Sequence, residues 1–268
     1  MDLQLHGKRA LVTGSSSGIG EAIAKALARE GASVVVHGRK KGEAQRVAEA
    51  IRHGGGTVAV ALGDLATDQG ASQVAVAAGA AFGGIDIVVN NAGAFTEDNW
   101  SNLDSALWLE LFNQNVVSMV RMVRHFVAPM KERKWGRFIQ IASCVATIPM
   151  PNAAAYAASK AAVVNLTVGL AKELAGTKAT ANSISPGVIL TPGVGRLMEE
   201  IAKKEGWSGP PEEIERRFLI LFGQMPPTGR LGRVEEVADL ATFLASPCAD
   251  YINGADLRVD GGLVPTIN

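Results

Sequence analysis

Short apolar runs alternate with longer segments of helical periodicity along the whole chain. Strands are predicted at residues 10–12, 32–36, 57–62, 85–90, 137–142, 181–184 and 256–259. Helices are predicted at residues 21–27, 41–53, 69–82, 103–133 and 153–174, and within 232–245. Because the strands are apolar throughout and helices separate them, the pattern predicts a parallel sheet covered on both faces. We therefore predict an α/β fold, a doubly wound seven-stranded parallel sheet in a single domain over residues 1–268.

Composition and charge narrow the class of protein. The 268 residues are 47% hydrophobic, which is enough to bury a sizeable core. The 26 basic and 26 acidic residues balance, which argues against nucleic acid or a membrane surface as the main partner. Cys144 and Cys248 have neither a disulfide pattern nor metal-ligand spacing, so we expect a reduced, cytoplasmic protein without a metal site. The polar N-terminus does not resemble a signal peptide, and no apolar run approaches the length of a membrane span.

A glycine turn, Thr-Gly-Ser-Ser-Ser-Gly-Ile-Gly at residues 13–20, joins the first strand to the first helix. Glycines allow the backbone to turn sharply and to approach a ligand closely. The start of the helix offers unpaired N–H groups and a partial positive charge, which suit a pyrophosphate. The spacing G-x-x-x-G-x-G differs from the commoner dinucleotide motif G-x-G-x-x-G, and a strand–helix turn without a ligand is the alternative.

The same turn satisfies G-x-S-x-G, the nucleophile elbow of hydrolases. A hydrolase needs an acid and then a histidine later in the chain. The histidines here are His6, His37, His53 and His125, and none lies in the second half. The elbow also normally follows several strands, whereas this turn follows the first. These observations disfavour a hydrolase.

Polar residues follow the other predicted strands, where ligands of doubly wound sheets bind. The second strand leads into His-Gly-Arg-Lys at 37–40, without the acidic residue that typically holds the ribose of NAD; an ordinary basic loop is the alternative. The segment 63–65 offers a carboxylate and an amide for an adenine edge, unless Asp64 caps the next helix. The segment 90–93, Asn-Asn-Ala-Gly, offers side-chain amides that can connect strand ends, or forms a plain turn.

Ser143 follows the fifth strand, and Tyr156 and Lys160 come next at helical spacing. Residues four apart lie on one face of a helix. An ammonium ~5 Å from a phenol contributes roughly 3 kcal/mol at an effective dielectric near ~20, about two pKa units. Such a shift would bring the phenol into range for proton transfer near neutral pH. An exposed helical pair is the alternative for Tyr-x-x-x-Lys alone.

In this order, the motifs resemble the short-chain dehydrogenase/reductase family, specifically its compact single-domain, Rossmann-like members, over nearly the whole chain. The resemblance implies a catalytic tetrad at Asn115, Ser143, Tyr156 and Lys160. It implies a nicotinamide cofactor bound by Gly14, Ser16, Ser17, Gly18, Ile19, Gly20, Gly38, Arg39, Asp64, Leu65, Asn91, Ala92, Gly93, Tyr156, Lys160, Pro186, Gly187, Val188 and Thr191. The segment Val-Asp-Gly-Gly at 259–262 is similar to the C-terminal end of the family.

The resemblance also implies a division of labour. Tyr156 would protonate the carbonyl oxygen of a small-molecule substrate as hydride arrives from the cofactor, and Ser143 would hydrogen-bond that oxygen. Lys160 would lower the pKa of the tyrosine and bind the nicotinamide ribose. Asn115 would hold a water that connects the lysine to solvent. The resemblance implies no metal.

The loop after the second strand predicts NADP(H) over NAD(H). Gly38 leaves room for a 2′-phosphate, and the Arg39 guanidinium can bind one through two donors. His37 and Lys40 add donors nearby; a side chain that points to solvent is the alternative for each. Ser17 stands where many NADP-preferring relatives carry a basic residue, so one expected phosphate partner is absent.

The resemblance places a substrate-covering segment at about 193–228, and the pocket beneath it is predicted to be largely apolar. The candidate lining residues, about half of which we expect to be core or subunit contacts, are Phe95, Val145, Ile148, Met150, Val188, Trp207, Phe218, Leu219, Ile220, Leu221, Phe222 and Met225. A homotetramer or homodimer is expected from the family, with the apolar stretches 107–127 and 263–265 as candidate contacts.

Two narrower or rival functions stay open. A 3-oxoacyl-(acyl-carrier-protein) reductase would bind an acidic carrier, for which Lys131, Arg133, Lys134 and Lys172 offer a basic patch. A cofactor-sensing regulator would keep the fold without catalysis, but it would not need an intact tetrad.

Overall fold

A computed structural model describes residues 1–97, 100–101 and 104–266. Its strands are β1 Arg9–Val12, β2 Ser33–Gly38, β3 Val58–Leu62, β4 Ile87–Asn90, β5 Arg137–Ile141, β6 Thr180–Pro186, β7 Ile189–Leu190, β8 Gly232–Arg233 and β9 Asp256–Val259. Seven of them form one sheet in the order β3-β2-β1-β4-β5-β6-β9. All neighbouring strands in this sheet are parallel. The predicted seven-stranded parallel sheet is therefore confirmed.

Helices cover both faces of this sheet. They are α1 Gly18–Arg29, α2 Lys41–His53, α3 Asp68–Phe82, α4 Ser105–Phe112, α5 Ser118–Glu132, α6 Ala154–Glu173, α7 Pro192–Lys204, α8 Pro211–Leu221 and α9 Val234–Ala245. Side chains of β4 alternate between the faces: Val89 packs with α1, α2 and α9, while Val88 packs with α3, α5 and α6. Both faces of the strand are buried, which explains why its sequence is apolar from Ile87 to Val89.

The strand order reverses between β1 and β4. The chain moves outward from β1 to β3 and then returns to the other side of β1. Connections on the two sides of this point diverge and leave a crevice at the carboxyl ends of the strands, where doubly wound folds bind ligands. The glycine turn and the segment 90–93 lie at this switch point.

The long helix predicted at 103–133 is interrupted by one wide turn. Residues Asn113–Val117 form a π-helical turn between α4 and α5, and Leu103, the predicted first residue, lies outside the described residues. Such turns are rare and concentrate at functional sites. Asn115, a predicted site residue, lies within it.

Two features differ from the predictions. The segment after β7 contains helices α7 and α8, which begin at Pro192 and Pro211, and β7 pairs with β8 in a second small sheet. Helix α6 is long and apolar enough to cross a membrane by length and composition, contrary to the sequence prediction. It packs against β6 and carries Tyr156 and Lys160 to the switch-point side of the sheet, which accounts for its apolar composition.

Candidate active site

The glycine turn after β1 is held tightly against the start of α1. Gly14 has φ +61°, a conformation that L side chains rarely adopt. A Cβ at Gly20 would lie 2.4 Å from the Gly14 carbonyl oxygen, so only glycine allows α1 to approach the turn this closely. Ser17 is the N-cap residue, and its side chain makes no capping hydrogen bond within the described residues. The first-turn N–H groups of α1 are therefore available to an anion.

Two adjacent cavities flank this turn. The first, here the β2 cavity, has a volume of about 320 Å³. The second, here the Tyr156 cavity, has a volume of about 380 Å³. They share Gly93 and Ala94 in their walls, so a ligand lying along the ends of β1 and β4 would extend from one into the other.

The predicted site residues are distributed between the two cavities. The β2 cavity is lined by Gly14, Ser16, Ser17, Gly38, Arg39, Asp64, Leu65, Ala92 and Gly93. The Tyr156 cavity is lined by Ile19, Asn91, Gly93, Ser143, Tyr156, Lys160, Pro186, Gly187, Val188 and Thr191. Gly18, Gly20 and Asn115 line neither cavity and lie behind the walls. The shape and donor set thus fit a dinucleotide, with its phosphates at the glycine turn.

Arg39 is the cation best placed at the β2 cavity. It is exposed and forms no ion pair with any residue that the structure describes. Lys40 forms an ion pair with Glu43 at 3.2 Å, and its side chain is 79% exposed. His37 was expected either to donate toward the cofactor or to point to solvent, and it does neither, because its ring is buried and bonds to the backbone on both sides. One further basic residue was not predicted: Arg46 on α2 donates to the Ser16 carbonyl oxygen at 3.2 Å.

The segment after β4 connects neighbouring strand ends, as its amides suggested. The Asn91 side chain donates to the carbonyl oxygens of Thr13 and Gly14, each at 3.0 Å. Asp64 accepts from the Ala66 N–H at 3.0 Å, while Thr67 caps α3. Asp64 is therefore not the helix cap, and it keeps a place in the cavity wall.

Ser143, Tyr156 and Lys160 meet in the Tyr156 cavity. Ser143 and Tyr156 line the same part of its wall, and the Ser143 hydroxyl accepts from the Val145 N–H at 3.4 Å. Lys160 Nζ lies 5.6 Å from the centre of the tyrosine ring and donates to the Ile141 carbonyl oxygen at 2.8 Å. The Phe95 ring packs edge-on against the tyrosine, with ring centres 5.1 Å apart.

Burial dominates the electrostatics of this group. Burial raises the pKa of the Tyr156 phenol to about 12, although the nearby Ser143 hydroxyl opposes the shift. Burial lowers the pKa of the Lys160 ammonium to about 8. The predicted lowering of the tyrosine pKa by the ammonium is not seen: desolvation is the main cause of the shift, and Lys160 is not among its causes. The phenol is neutral at physiological pH, the form in which it can donate a proton.

Asn115 supports the site from behind. Its side chain accepts from the Ala94 N–H at 2.7 Å and donates to the Ala94 carbonyl oxygen at 3.0 Å. It also donates to Ser159 Oγ at 3.0 Å, and that hydroxyl donates to the Tyr156 carbonyl oxygen at 2.7 Å. The π-helical turn thereby fixes both the segment after β4 and the start of α6. This direct network was not predicted.

Helices α7 and α8 form a wall of the Tyr156 cavity. Of the predicted apolar lining, Phe95, Val145, Met150, Val188, Phe218, Leu219 and Phe222 line it. Trp207, Met225 and Ile148 instead pack in apolar clusters beside it, and Ile220 and Leu221 are exposed. Glu215 on α8 is buried, accepts from the Leu231 N–H, and pairs with Arg233 at 3.0 Å. These long-range polar contacts anchor the wall, and no local motif marks them.

The proposed basic patch lies away from this site. Lys131 and Arg133 lie at the end of α5, before β5 begins, and Lys172 lies at the end of α6, before β6 begins. The cavities lie at the carboxyl ends of the strands, whereas the patch lies at their amino ends, on the opposite side of the sheet. Lys131 and Arg133 are also paired with Glu173 and Asp86, respectively.

A parallel sheet with a dinucleotide-shaped crevice beside a tyrosine, a serine and a buried lysine defines a Rossmann-like oxidoreductase. A family model described as Enoyl-(Acyl carrier protein) reductase matches residues 14–264. The chain belongs to the short-chain dehydrogenase/reductase family, which acts on CH–OH and C=O groups.

The similar proteins act on different substrates. A D-beta-hydroxybutyrate dehydrogenase of Cupriavidus necator is 37% identical over 97% of this chain and 99% of its own length. A 3-oxoacyl-[acyl-carrier-protein] reductase of Vibrio cholerae is 34% identical, with the same coverage of both chains. The crystal structure of L-sorbose reductase from Gluconobacter frateurii, complexed with NADPH and L-sorbose, superimposes with a TM-score of 0.93. That structure is 33% identical and covers 100% of both chains.

Proposed function

We propose that the protein is an NADP(H)-dependent reductase of small ketones or aldehydes, with Tyr156 as the proton donor. The observation that carries this proposal is that Ser143, Tyr156 and Lys160 line one largely apolar cavity, beside a crevice shaped for a dinucleotide. The cofactor, when bound, supplies hydride to the carbonyl carbon. A substrate oxygen at the Ser143 and Tyr156 hydroxyls receives hydrogen bonds from both and a proton from Tyr156.

The neighbouring residues orient this chemistry. Lys160 places a cation near the phenol and stabilises negative charge that forms there as the proton leaves. Asn115 holds Ala94, in the wall between the cavities, while Ser159 connects it to the helix of Tyr156. The apolar wall excludes water, which strengthens the polar contacts that remain. Asn115 also holds a water that connects Lys160 to solvent in the proposed mechanism.

The preference for NADP(H) rests on the unpaired guanidinium of Arg39. A charge-assisted hydrogen bond to a 2′-phosphate is worth roughly 1.5–3 kcal/mol, about tenfold to hundredfold in affinity. Arg39→Leu should therefore lower kcat/KM with NADPH by about tenfold or more and leave kcat/KM with NADH nearly unchanged. Higher kcat/KM with NADH than with NADPH in the parent enzyme would contradict the proposal.

Reversal of the preference requires an added negative charge. A Cβ at Gly38 would lie 3.0 Å from Ser16 Cβ, so any side chain there crowds the turn slightly. Gly38→Ala therefore serves as the control for crowding. Gly38→Asp combined with Arg39→Leu should favour NADH, because the carboxylate accepts from a ribose 2′-hydroxyl and repels a 2′-phosphate. If the ratio of kcat/KM with NADPH to kcat/KM with NADH were the same in Gly38→Ala and in the double variant, the added carboxylate would have no effect and this prediction would be wrong.

The substrate class is proposed as a small, largely apolar ketone. The wall of α7 and α8 is apolar, and the basic patch expected for an acidic carrier lies at the opposite sheet edge. The similarity to 3-oxoacyl-[acyl-carrier-protein] reductase keeps that activity as the second candidate. NADPH oxidation should be measured against ketones, quinones, sugars and 3-oxoacyl thioesters. Turnover of thioesters alone would favour the second candidate, and cofactor binding without turnover would favour a regulator.

We also propose assembly through exposed apolar helix faces. Leu109 and Val120 on α4 and α5, and Leu166 and Val168 on α6, are exposed in the protomer. The C-terminal contact predicted at 263–265 is weakened, because Val264 is buried within the protomer. A dimer or tetramer would cover the helical face. Light scattering that shows a stable monomer at micromolar concentration would contradict this assembly.

A further inference from the structure

His37 is a buried histidine that the proposed mechanism does not use. It lies at the end of β2 and is 3% exposed. Its backbone N–H donates to Ser15 Oγ at 2.9 Å, and its carbonyl oxygen accepts from the Ser15 N–H at 2.9 Å. The end of β2 is thus already joined to the glycine turn through the main chain, and the imidazole is left to make further contacts.

The imidazole bridges two other segments of the cofactor crevice. Its Nδ1 accepts from the Gly14 N–H at 2.9 Å, and its Nε2 lies 3.1 Å from the Gly63 carbonyl oxygen. A backbone N–H can only donate and a carbonyl can only accept. These contacts therefore require the neutral ring with its proton on Nε2. The ring connects the turns after β1 and β3, which carry Gly14 and Asp64 in the cavity wall.

Protonation would disrupt this bridge on one side only. An imidazolium would place an N–H against the Gly14 N–H, while its contact with Gly63 would persist. Burial lowers the pKa of His37, with Asp64 opposing and Arg39 reinforcing the shift. The other charged groups near this cavity are Lys40 and Glu43 in its wall and Arg46 at the Ser16 carbonyl.

We propose that the neutral His37 ring is a positioning residue for the nicotinamide cofactor, because it holds the Gly14 turn in its binding geometry and releases it on acidification. The inference rests on the proposed cofactor crevice and assigns a pH dependence to it. His37 touches neither the substrate nor the reacting atoms, so its effect falls on cofactor affinity rather than on the chemical step.

Two isosteric substitutions separate the two contacts. The side-chain oxygen of His37→Asn can take the place of Nδ1 and accept from Gly14, whereas the amide of His37→Gln reaches the Gly63 side instead. The dissociation constant for NADPH at pH 7.5 should stay within about threefold of the parent for Asn and rise about tenfold for Gln, the equivalent of one lost hydrogen bond. The KM for the carbonyl substrate should not change. Equal affinities for the two variants would overturn the proposal.

The dissociation constant for NADPH at acid pH gives an independent test. The parent-to-Asn ratio of dissociation constants should rise below the pKa of the ring, by up to about tenfold per pH unit. Titration of the cofactor phosphate cancels in this ratio. His53→Asn, at an exposed histidine on α2, should follow the parent at every pH. A ratio that stays constant across the pH range in which ¹⁵N NMR shows the ring becoming protonated would overturn the proposal.

The tautomer can be checked in the unmodified protein. ¹⁵N NMR of the His37 ring at pH 7.5 should show an unprotonated Nδ1 and a protonated Nε2. A proton on Nδ1 would overturn the inference even if the variants fail to fold. A parent that binds no NADPH or NADH at all would instead reject the proposed function, so the two failures are distinguishable.

Discussion

The crevice at the ends of β1, β2 and β4 and the wall formed by α7 and α8 are held in place by different kinds of contact. In the crevice, short side chains bond to the backbone: Asn91 bonds to the turn after β1, and His37 bridges the turns after β1 and β3. In the wall, apolar side chains pack together, and an ion pair between the buried Glu215 carboxylate and the partly exposed Arg233 guanidinium anchors α8. Backbone-directed bonds fix atomic positions closely, whereas apolar contacts tolerate exchange. The crevice therefore suits a constant cofactor and the wall a variable substrate.

The largest expected effect lies where the two regions meet. Tyr156→Phe removes the proton donor and keeps the ring that packs against Phe95. General acid catalysis contributes about 10²- to 10⁴-fold, so turnover should fall by at least about a hundredfold. Cofactor binding, followed by fluorescence, should stay within a few-fold of the parent. Retention of a tenth or more of the activity would remove Tyr156 as the acid.

The same glycine-to-alanine change should have opposite effects in the two regions. In the crevice, Gly20→Ala places a Cβ 2.4 Å from the Gly14 carbonyl oxygen and should destabilise the fold by about 1–3 kcal/mol. In the wall, a Cβ at Gly195 on α7 meets nothing closer than Leu190 at 3.9 Å. Gly195→Ala should therefore stabilise by about 0.5–1 kcal/mol, because alanine is the better helix former. Thermal unfolding measures both.

The decisive result is that the two substitutions change the free energy of unfolding in opposite directions. Cofactor affinity should fall with Gly20→Ala and remain unchanged with Gly195→Ala. If both variants were destabilised equally, the crevice would not be the more tightly constrained region.

Loosening the anchor of α8 should affect substrate more than cofactor. Glu215→Gln removes the negative charge of a buried carboxylate that faces the partly exposed Arg233 and accepts from the Leu231 N–H, a loss of about 1–2 kcal/mol after solvent screening. The KM for the carbonyl substrate should rise several-fold, while the dissociation constant for NADPH should change less than about twofold. Steady-state kinetics and fluorescence titration measure the two quantities.

Glu213→Gln is the matched control on the same helix. Glu213 pairs with Arg217 at half-exposed side chains, and such surface pairs contribute less than about 1 kcal/mol. Its kinetics should therefore match those of the parent. An increase in cofactor dissociation constant for Glu215→Gln that equals the increase in KM would show that the two regions do not act separately.

At neutral pH, the smallest expected effect is that of the alkaline limb of the pH profile, which appears only above about pH 8. Burial lowers the pKa of Lys160 to about 8, so above that pH the lysine loses the charge that we propose binds the ribose. The kcat/KM for NADPH, which reports the free enzyme, should fall by up to about tenfold per pH unit above about pH 8. NADPH binding by Tyr156→Phe should keep the same limb, because that variant has no phenol. If NADPH binding by Tyr156→Phe no longer fell above about pH 8, the titrating group would be the tyrosine and not Lys160.

The crevice was predictable because its residues have few structural alternatives. Gly14 and Gly20 are required by a left-handed turn and a close helix approach, and those demands appear directly as sequence spacing. Asn91 follows a strand at the switch point, where only a ligand or a neighbouring turn lies within its reach. Motif and topology together therefore placed both cavities.

The remaining features depend on contacts between distant residues. Glu215 meets Arg233 and Leu231 only after α8 has folded back, and nothing in the local sequence indicates a buried carboxylate. His37 was expected to donate toward the ligand or to point to solvent. Its ring is instead buried between the turns after β1 and β3, and the local sequence does not show where those turns lie. The tyrosine pKa also differed, since the sequence gives the lysine spacing but not the extent of desolvation.

The π-helical turn at Asn113–Val117 allows the position of Asn115 to change without a change in the packing of α4 and α5. Deletion of a single residue would be enough. Such a turn accommodates one residue more than a regular helical turn, so the faces of α4 and α5 on either side keep their orientation. Deletion of one residue within it would let a regular α-helix close through both segments and would preserve the packing of each. The same deletion would move Asn115 away from Ala94 and Ser159. Under the positioning role that we propose for Asn115, one in-frame deletion in this turn would therefore lower activity and leave the fold in place.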